Sequence, residues 1–240
     1  MSIRIGTSGW HYGHWVGPFY PPDQPSAGLL SFYSVEFDTV EVNNSFYRLP
    51  QIETLLAWKE GTPDSFTFAF KASRYLTHMK KLRGIEDALT TMIDRARLLG
   101  SKLGPILFQL PPRWRVDAER LGQFLRLIPQ PLRVAVEFRD PSWFADDTYD
   151  VLRKSEAGFC IYDLAGSTSP TVVTSDLVYV RLHGPYGPYQ GLYDAGTLSI
   201  WAERISIWHA EGKDVYCFFD NDERGYAVQN ARELKTLLFP

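Results

Sequence analysis

The chain of 240 residues predicts a TIM-type (β/α)8 barrel, an α/β fold with eight parallel strands and about seven helices. Eight β-like runs alternate with stretches of helical periodicity, and the chain length suits eight such units. One face of the runs is apolar and the other is small or polar, which fits a narrow barrel interior. An open doubly wound sheet is the competing fold, but its strands are covered by helices on both faces and form near-continuous apolar runs. No linker or internal repeat divides the sequence, so we expect one domain over residues 1–240.

Hydrophobic periodicity defines the elements in chain order. The predicted strands cover residues 2–6, 38–42, 66–71, 105–110, 133–138, 158–162, 177–183 and 215–220. The predicted helices cover residues 27–36, 51–60, 84–100, 117–127, 145–157, 197–212 and 223–238. The clearest helix is 197–212, where apolar residues recur at helical spacing and Gly212 provides a stop. Residues 163–176 contain glycine, serine and proline without a helical period, so we expect a loop between the sixth and seventh strands.

Alternating side chains justify five of these strands in more detail. In 39–43 two valines alternate with polar residues, and in 66–71 three phenylalanines alternate with Thr67, Ala69 and Lys71. The runs 106–110, 134–139 and 178–183 follow the same pattern. Because successive side chains of a strand point to opposite faces, the polar residues of each run share one face. The polar residues near the strand ends are Glu41, Asn43, Lys71, Gln109, Glu137, Arg139, Arg181 and His183.

In a barrel of this kind the active site lies at the C-terminal ends of the strands. That end, called the mouth here, also receives Ser8, Asp163, Asp220 and Asn221. These charged groups either pair with one another and merely fill the barrel end, or they form an active site. Burying many charges is costly unless each is paired and hydrogen-bonded, and apolar residues would fill the space as well. We therefore favour the active site.

The residue types at the mouth indicate roles. Glu41 and Glu137 form the best acid–base pair, because a carboxylate on a rigid strand can be tuned for proton transfer. Glu–Arg bridges between neighbouring strands are an equally good interpretation. Further catalytic candidates are Lys71, His183 and Asp163. The candidates for substrate binding are Trp10, Tyr12, Asn43, Gln109, Arg139, Arg181, Asp220 and Asn221.

Two of these candidates come from the aromatic loop 9–20, which follows the first strand. Trp10 and Tyr12 lie nearest that strand, so we expect them to face the mouth, where an aromatic wall can stack on a sugar ring or a base. Trp15 and Phe19, farther along the loop, are expected to pack as a structural lid.

Metal and cofactor sites have little support. The chain has five histidines, and His183 is the one near a strand end, so a zinc site with several histidines is not expected. A hard cation such as Mg²⁺ or Mn²⁺, held by Glu41, Glu137, Asp163 and Asp220, stays an alternative. Lysine and arginine already neutralise those acids. No phosphate-binding loop, dinucleotide fingerprint or nucleophile elbow occurs, so the sequence requires no cofactor.

Composition narrows the partners and the compartment. A formal net charge of −3 gives no overall attraction for nucleic acid or an anionic membrane. No apolar run approaches the roughly 20 residues of a membrane helix, and the first residues show no secretory pattern. Cys160 and Cys217 lie inside β-like runs, which predicts two reduced, buried thiols. A cytoplasmic location is the resulting expectation.

Seven sequence blocks, in order, carry a resemblance to a known family. They are GTSGWHYGHWVGPFYP at 6–21, EVNNSFYRLP at 41–50, FAFKASRYLTH at 68–78, FQLPP at 108–112, VEFRDPSWF at 136–144, YVRLHG at 179–184 and FFDND at 218–222. With these blocks the chain resembles the YecE-like family, also called domain of unknown function 72. The resemblance implies a TIM-type barrel with these polar residues at its mouth, and it implies no activity. Asp220 stands where relatives commonly have asparagine.

Three functions remain open at this stage. The first is an enzyme, whether hydrolase, lyase or isomerase, that uses acid–base chemistry on a small anionic substrate such as a phosphorylated sugar or a nucleotide-like compound. The second is nucleic-acid binding or phosphodiester hydrolysis through the tract 71–83, which holds five basic residues and no acid. The third is a glycoside hydrolase, for which two carboxylates must lie roughly 5–9.5 Å apart.

Overall fold

The computed structural model describes residues 1–239, and nine strands in them join into one sheet. The strands are β1 (Ile3–Thr7), β2 (Thr39–Val42), β3 (Thr67–Lys71), β4 (Leu103–Gln109), β5 (Val134–Glu137), β6 (Gly158–Leu164), β7 (Ser167–Thr168), β8 (Leu177–Leu182) and β9 (Asp214–Phe219). The α-helices are α1 (Leu29–Glu36), α2 (Ile52–Glu60), α3 (Glu86–Ala96), α4 (Ala118–Leu125), α5 (Asp146–Lys154), α6 (Ala195–Ala210) and α7 (Tyr226–Leu238). All strands except β7 pair in parallel, in the order β1-β9-β8-β6-β5-β4-β3-β2. This architecture confirms the predicted (β/α)8 barrel.

The barrel closes between its first two strands. Ser8 and Glu41 form a single parallel bridge there. A Cβ atom at Gly6 would lie 2.2 Å from the carbonyl oxygen of Thr39, so only glycine lets β1 come this close to β2. The hydroxyl of Tyr33, from α1, accepts a hydrogen bond from the backbone amide of Thr7 at 2.9 Å. The same hydroxyl donates to the Thr39 carbonyl at 3.0 Å. One tyrosine therefore joins the two strands where ladder hydrogen bonds are few.

Apolar side chains fill both sides of the strand ring. The larger cluster lies between the strands and the surrounding helices, while a second, separate cluster fills the barrel interior. The interior cluster consists of Ala69, Leu107, Ala135, Cys160, Leu177, Tyr179, Tyr216 and Phe218. Small side chains from β3, β5 and β6 pack there with tyrosines and a phenylalanine from β8 and β9, so the narrow interior is filled without a pore. The interior cluster is the floor on which the polar mouth rests.

The segment 163–176 differs in part from the predicted loop. The sixth strand continues to Leu164, turns at Ala165 and Gly166, and pairs back antiparallel as β7. Both turn residues have positive φ, 55° and 74°, as a tight hairpin turn requires. The sequence Ala-Gly is a weak signal for such a turn, because alanine seldom adopts positive φ. The rest of the segment contains no helix, as expected.

Two further expectations concern the end of one helix and the state of the two cysteines. The stretch 84–100 is α-helical only to Ala96 and continues as a 3₁₀ helix over Arg97–Lys102. Cys160 and Cys217 are free and buried. None of the helices in residues 1–239 combines the length and the apolar character needed to cross a membrane.

Candidate functional site

Arg181 lies at the centre of the mouth and is completely buried. Its Nε and Nη2 atoms donate to the two carboxylate oxygens of Glu41 at 3.0 and 2.7 Å. Its Nη1 donates to Glu137 at 2.9 Å, and Nη2 also donates to Asp220 at 2.9 Å. One guanidinium from β8 thus binds carboxylates from the ends of three other strands. Arginine suits this arrangement because its planar donors can serve several acceptors at once.

Mutual attraction keeps these groups charged. Burial alone would raise the pKa of Glu137, but the charges of Arg139 and Arg181 outweigh it and hold that pKa well below its usual range. Burial opposes ionisation of Asp220 in the same way, and Arg181 lowers the pKa of that carboxyl. Burial also disfavours the charged guanidinium, yet Glu41 and its two fellow carboxylates raise the pKa of Arg181 well above its usual value. Glu137, Asp220 and Arg181 therefore keep their charges in the neutral pH range.

His183 extends this network from the same strand. Its Nε2 atom lies 2.8 Å from Nη2 of Arg139 and 3.2 Å from Nη1 of Arg181. A guanidinium can only donate, so Nε2 must accept and carries no proton. Nδ1 lies 2.9 Å from the carboxylate of Asp220 and donates to it. His183 thus lies between two guanidiniums at Nε2 and the carboxylate of Asp220 at Nδ1.

Arg139 connects the buried network to the surface of the mouth. Its Nε pairs with Glu137, and its guanidinium lies over the Tyr162 ring, 4.7 Å from the centroid. The side chain is 11% exposed, whereas Arg181 and Glu137 are fully buried. Arg139 therefore offers a fixed cation to a ligand in the mouth. We call Glu41, Glu137, Arg139, Arg181, His183 and Asp220 together the Arg181 cluster.

Lys71, at the end of β3, is built differently. It is 6% exposed, and its ammonium group makes no hydrogen bond and no ion pair within residues 1–239. Its ammonium group lies 4.7 Å from the centroid of the Phe46 ring. Burial, and then the nearby charge of Arg181, lower the pKa of Lys71 to about 8, against the opposing effect of the surrounding carboxylates. The lysine amine is thus close to half neutral at a slightly alkaline pH.

A groove of about 570 Å³ opens beside the mouth, where β1 and β2 meet. Its lining includes the aromatic and polar residues Trp10, His11, Tyr12, Asn43, Asn44 and Trp58. Trp10 and Trp58 pack edge to face with ring centroids 4.9 Å apart. The Tyr12 hydroxyl donates to the backbone carbonyl of Ser8 at 2.5 Å, which holds the aromatic loop against the end of β1. Its volume lies in the range of small-molecule sites, about 300–1,000 Å³.

The structure brings most of the predicted site residues together. Lys71 and the six members of the Arg181 cluster face the same interior. Trp10, Tyr12 and Asn43 line the adjoining groove. Gln109 is half-buried and pairs in the β4–β5 ladder with Glu137. Its side chain has no hydrogen bond to another described residue. Their functional roles remain predictions.

Asp163 and Asn221 are placed elsewhere. Asp163 pairs in the ladder with Leu182, which packs in the outer core, so its side chain faces away from the interior. It accepts hydrogen bonds from the hydroxyls of Tyr193 at 2.8 Å and Thr168 at 3.0 Å. The interior residues of β6 have even numbers, so the odd-numbered Asp163 points outward. We expected Asp163 at the mouth from its position at a strand end alone, and that placement needs correction.

Asn221 also follows an interior residue by one position. Its Nδ2 donates to the Gly191 carbonyl at 2.8 Å and to Oδ1 of Asn230 at 3.0 Å. These contacts join the loop before α6 to helix α7. The side chain therefore lies in a structural network outside the Arg181 cluster, and its expected place at the mouth is corrected in the same way.

Sequence reasoning missed three aromatic residues of the mouth. Tyr179 donates to Glu41 at 2.6 Å from inside the barrel. Tyr162 lies under Arg139, and Phe46 lies beside Lys71. The alternation of β6 and β8 contains the signal for the two tyrosines, because each is two residues from another interior side chain. Phe46 lies in a 3₁₀ turn after β2, where no such rule applies.

The hard-cation alternative gains no support from the donor set. Residues 1–239 hold no group of three or more His, Cys, Asp or Glu side chains arranged to bind a metal. The carboxylates of Glu41, Glu137 and Asp220 are directed at the Arg181 guanidinium instead. A cation among these oxygens would have to displace a fully buried positive charge.

Comparisons with known proteins agree with this architecture. The family model described as "Protein of unknown function DUF72" matches residues 4–239. The chain is 28% identical over 270 aligned positions to the UPF0759 protein YunF of Bacillus subtilis, covering 98% of this chain and 94% of that protein. It is 33% identical over 149 positions to the UPF0759 protein YecE of Escherichia coli K12, covering 60% of this chain and 50% of that protein.

Solved structures show the same fold. A DUF72 family protein from Thermotoga maritima superposes with a TM-score of 0.91 at 26% identity, and the match covers all of both chains. A DUF72 family protein from Enterococcus faecalis superposes with a TM-score of 0.84 at 19% identity, covering 98% of this chain and 95% of that one. The family model matches nearly the whole length of the sequence: this chain belongs to the DUF72 family.

Proposed function

We propose that this DUF72 protein is an enzyme that uses acid–base chemistry on a small anionic substrate, such as a phosphorylated sugar or a nucleotide-like compound. One observation carries the proposal. Every charged side chain of the Arg181 cluster has a partner of opposite charge, whereas Lys71 has none among residues 1–239. A buried cation without a partner is costly unless a ligand completes the site.

The side chains divide the work in this proposal. Lys71 is the proton-transfer group, because a pKa of about 8 gives both of its protonation states near neutral pH. Arg139 binds the anionic group, since it is held by Glu137 and still reaches the surface of the mouth. Glu41 and Glu137 are fully buried against Arg181, so they position these cations instead of acting as a free acid and base.

Charge around the mouth supports an anionic substrate. The loops after β3 and β4 lie at the C-terminal ends of the strands and carry exposed basic residues. These are Arg74, Lys80, Lys81, Arg83, Arg113 and Arg115. Their potential raises the local concentration of anions even though the whole chain is slightly acidic. The groove lined by Trp10, Tyr12 and Asn43 would receive the uncharged part of the substrate.

The two alternatives have less support. For a glycoside hydrolase, the two carboxylates must face a sugar ring or a water between them. Glu41 and Glu137 instead share the same guanidinium as their partner. Nucleic-acid binding or phosphodiester hydrolysis would use the same basic loops. The following experiment distinguishes it from binding of a small anion.

Thermal unfolding with added ligands tests the proposal. Inorganic phosphate, glucose 6-phosphate, adenosine monophosphate and a single-stranded oligonucleotide are compared with sodium chloride at equal ionic strength. We expect at least one small phosphate compound to raise the melting temperature of the wild type, because a ligand that binds only the folded state stabilises it. The Lys71→Met variant should lose this increase.

Lys154→Met is the matched control, because Lys154 is exposed in the last turn of α5, at the opposite end of the barrel. It should keep the full increase. Equal increases in the wild type and in Lys71→Met would overturn the proposal. Stabilisation by the oligonucleotide alone would favour the nucleic-acid alternative.

A further inference from the structure

We propose that Lys71 is a nucleophile that forms an imine with the carbonyl carbon of an anionic aldehyde or ketone. This inference rests on the proposed function and deepens it. The amine that loses a proton near neutral pH is the amine that then attacks the carbonyl carbon, and the reaction names the substrate class for the same site. Three features carry it: the unpartnered amine, the apolar surface beside it, and the complete pairing of the neighbouring acids.

An amine attacks a carbonyl only when its nitrogen is neutral and its lone pair is free. Most buried lysines donate to carboxylates or carbonyls, and Lys102 of this chain donates to the Lys59 and Thr62 carbonyls at 2.6 Å. Lys71 makes no such contact within the described chain. Its Nζ faces the Phe46 ring, which excludes water from one side. The nitrogen is therefore left for a ligand.

Burial, and after it the charge of Arg181, favour the neutral amine. Five charged or titratable groups interact with Lys71. Four come from the ends of other strands, and one comes from the π-helical turn Tyr75–Met79 after β3. They are Arg181, Glu41, Asp220, Glu137 and His78. The carboxylates would attract a proton to Lys71, but each is already bound to Arg181. Burial and the positive guanidinium dominate and lower the lysine pKa to about 8. Desolvation and a neighbouring cation are the two established ways to activate a lysine amine.

The reaction step balances without an oxidant or reductant. The neutral amine forms a bond to the carbonyl carbon, and the carbonyl π pair moves to oxygen. The nitrogen gives up its two protons to that oxygen, which leaves as water while the C=N bond forms. Arg139, held by Glu137, would bind the anionic group of the same molecule. Water reverses the step and releases the substrate or product.

Reductive trapping tests this inference. The wild-type protein is incubated with glycolaldehyde phosphate, or with uncharged glycolaldehyde, in the presence of sodium cyanoborohydride, and labelled lysines are mapped by peptide mass spectrometry. We expect Lys71 to be labelled at least tenfold faster than the exposed Lys80 and Lys81 of the same mouth. The rate at Lys71 should rise with pH, with a midpoint near 8, as its amine loses a proton.

The main controls lie within the wild-type protein, so the test does not depend on whether a variant folds. Lys80 and Lys81 serve as internal references in the same molecule, and Lys71→Arg should lose the fast label. Labelling of Lys71 no faster than Lys80 and Lys81 would overturn imine formation. If both aldehydes label Lys71 equally fast, the imine stands and the anionic part of the proposed function fails. If neither aldehyde labels Lys71, imine formation is wrong, and the effect of phosphate compounds on the melting temperature decides the proposed function separately.

Discussion

Arg181 and Lys71 are two buried cations in the same barrel mouth, and they are built in opposite ways. Arg181 makes hydrogen bonds to three carboxylates and one imidazole. Lys71 is also buried, but it has an aromatic ring beside its charge and no oxygen partner in the described chain. The pKa of Arg181 is raised and that of Lys71 is lowered. Burial disfavours both positive charges, and at Arg181 the surrounding carboxylates outweigh that effect.

The difference separates framework from chemistry. When buried charges are paired, the attraction between them offsets the free-energy cost of their desolvation. Such charges hold each other in place and resist a change of protonation. An unpaired buried charge retains most of that cost, which a ligand or a lost proton can relieve. The Arg181 cluster therefore sets positions in the mouth, and Lys71 is the group ready to react. Each prediction below challenges this division, in order of decreasing effect.

The largest effect is expected from Arg181→Met. The substitution leaves Glu41, Glu137 and Asp220 buried around an apolar side chain, so we expect the free energy of unfolding to fall by about 3–5 kcal/mol. Urea denaturation at pH 7 measures it. Arg153→Met is the matched control, because Arg153 is exposed and pairs only with Asp150 in the same helix. Its loss should stay within about 0.5 kcal/mol. A similar small loss in Arg181→Met would mean that the cluster is not a framework.

Lys71→Met should act in the opposite direction. The folded pKa of Lys71, about 8, lies below its ordinary value of 10.5, so the unfolded chain holds more protons between these pH values and stability rises with pH there. Removing the amine removes this penalty at pH 7, and we expect a gain on the order of 2 kcal/mol. The gain should shrink as the pH approaches 10. Urea denaturation of both proteins at pH 7, 8.5 and 10 tests the slope, with Lys154→Met as the reference.

A loss of stability in Lys71→Met at pH 7 would show that the lysine belongs to the framework after all. A gain that does not change with pH would show that packing, not charge, is responsible.

The smallest effect is expected from Tyr179→Phe. The change removes one hydroxyl that donates to Glu41, while both Arg181 hydrogen bonds to that carboxylate remain. We expect a loss of about 1–2 kcal/mol in the free energy of unfolding, well below that of Arg181→Met. Tyr186→Phe, at an 80% exposed tyrosine, should change stability by less than about 0.5 kcal/mol. A loss as large as that of Arg181→Met would place Tyr179 at the centre of the framework.

Much of the site follows from the alternation of side chains along the strands. In β8 the same rule that places Tyr179 in the interior also places Arg181 and His183 there. Asp163 and Asn221 obey the same rule but point outward, because a position at a strand end does not determine which face a side chain occupies. Each is one residue out of phase with the interior and makes its hydrogen bonds elsewhere. Attention to parity at these two positions would have placed them correctly.

The hairpin after β6 and the ring of Phe46 could not be predicted in this way. The hairpin depends on positive φ at Ala165, which the sequence does not favour. Phe46 reaches Lys71 from a 3₁₀ turn, and the contact depends on how that turn packs over the end of β3. Both features arise from local backbone geometry that hydrophobic periodicity does not encode.

The sequence by itself determined the order of strands and helices, the closed barrel, and which ionisable residues of most strands point inward, because alternation is a local property of the extended chain. The tertiary structure decided the pairing. Glu41 and Arg181 are 140 residues apart and meet only because the ring closes between β1 and β2. Three carboxylates compete for one guanidinium, and their positions across the interior leave Lys71 without a partner. That outcome depends on distances across the barrel, which no local pattern contains.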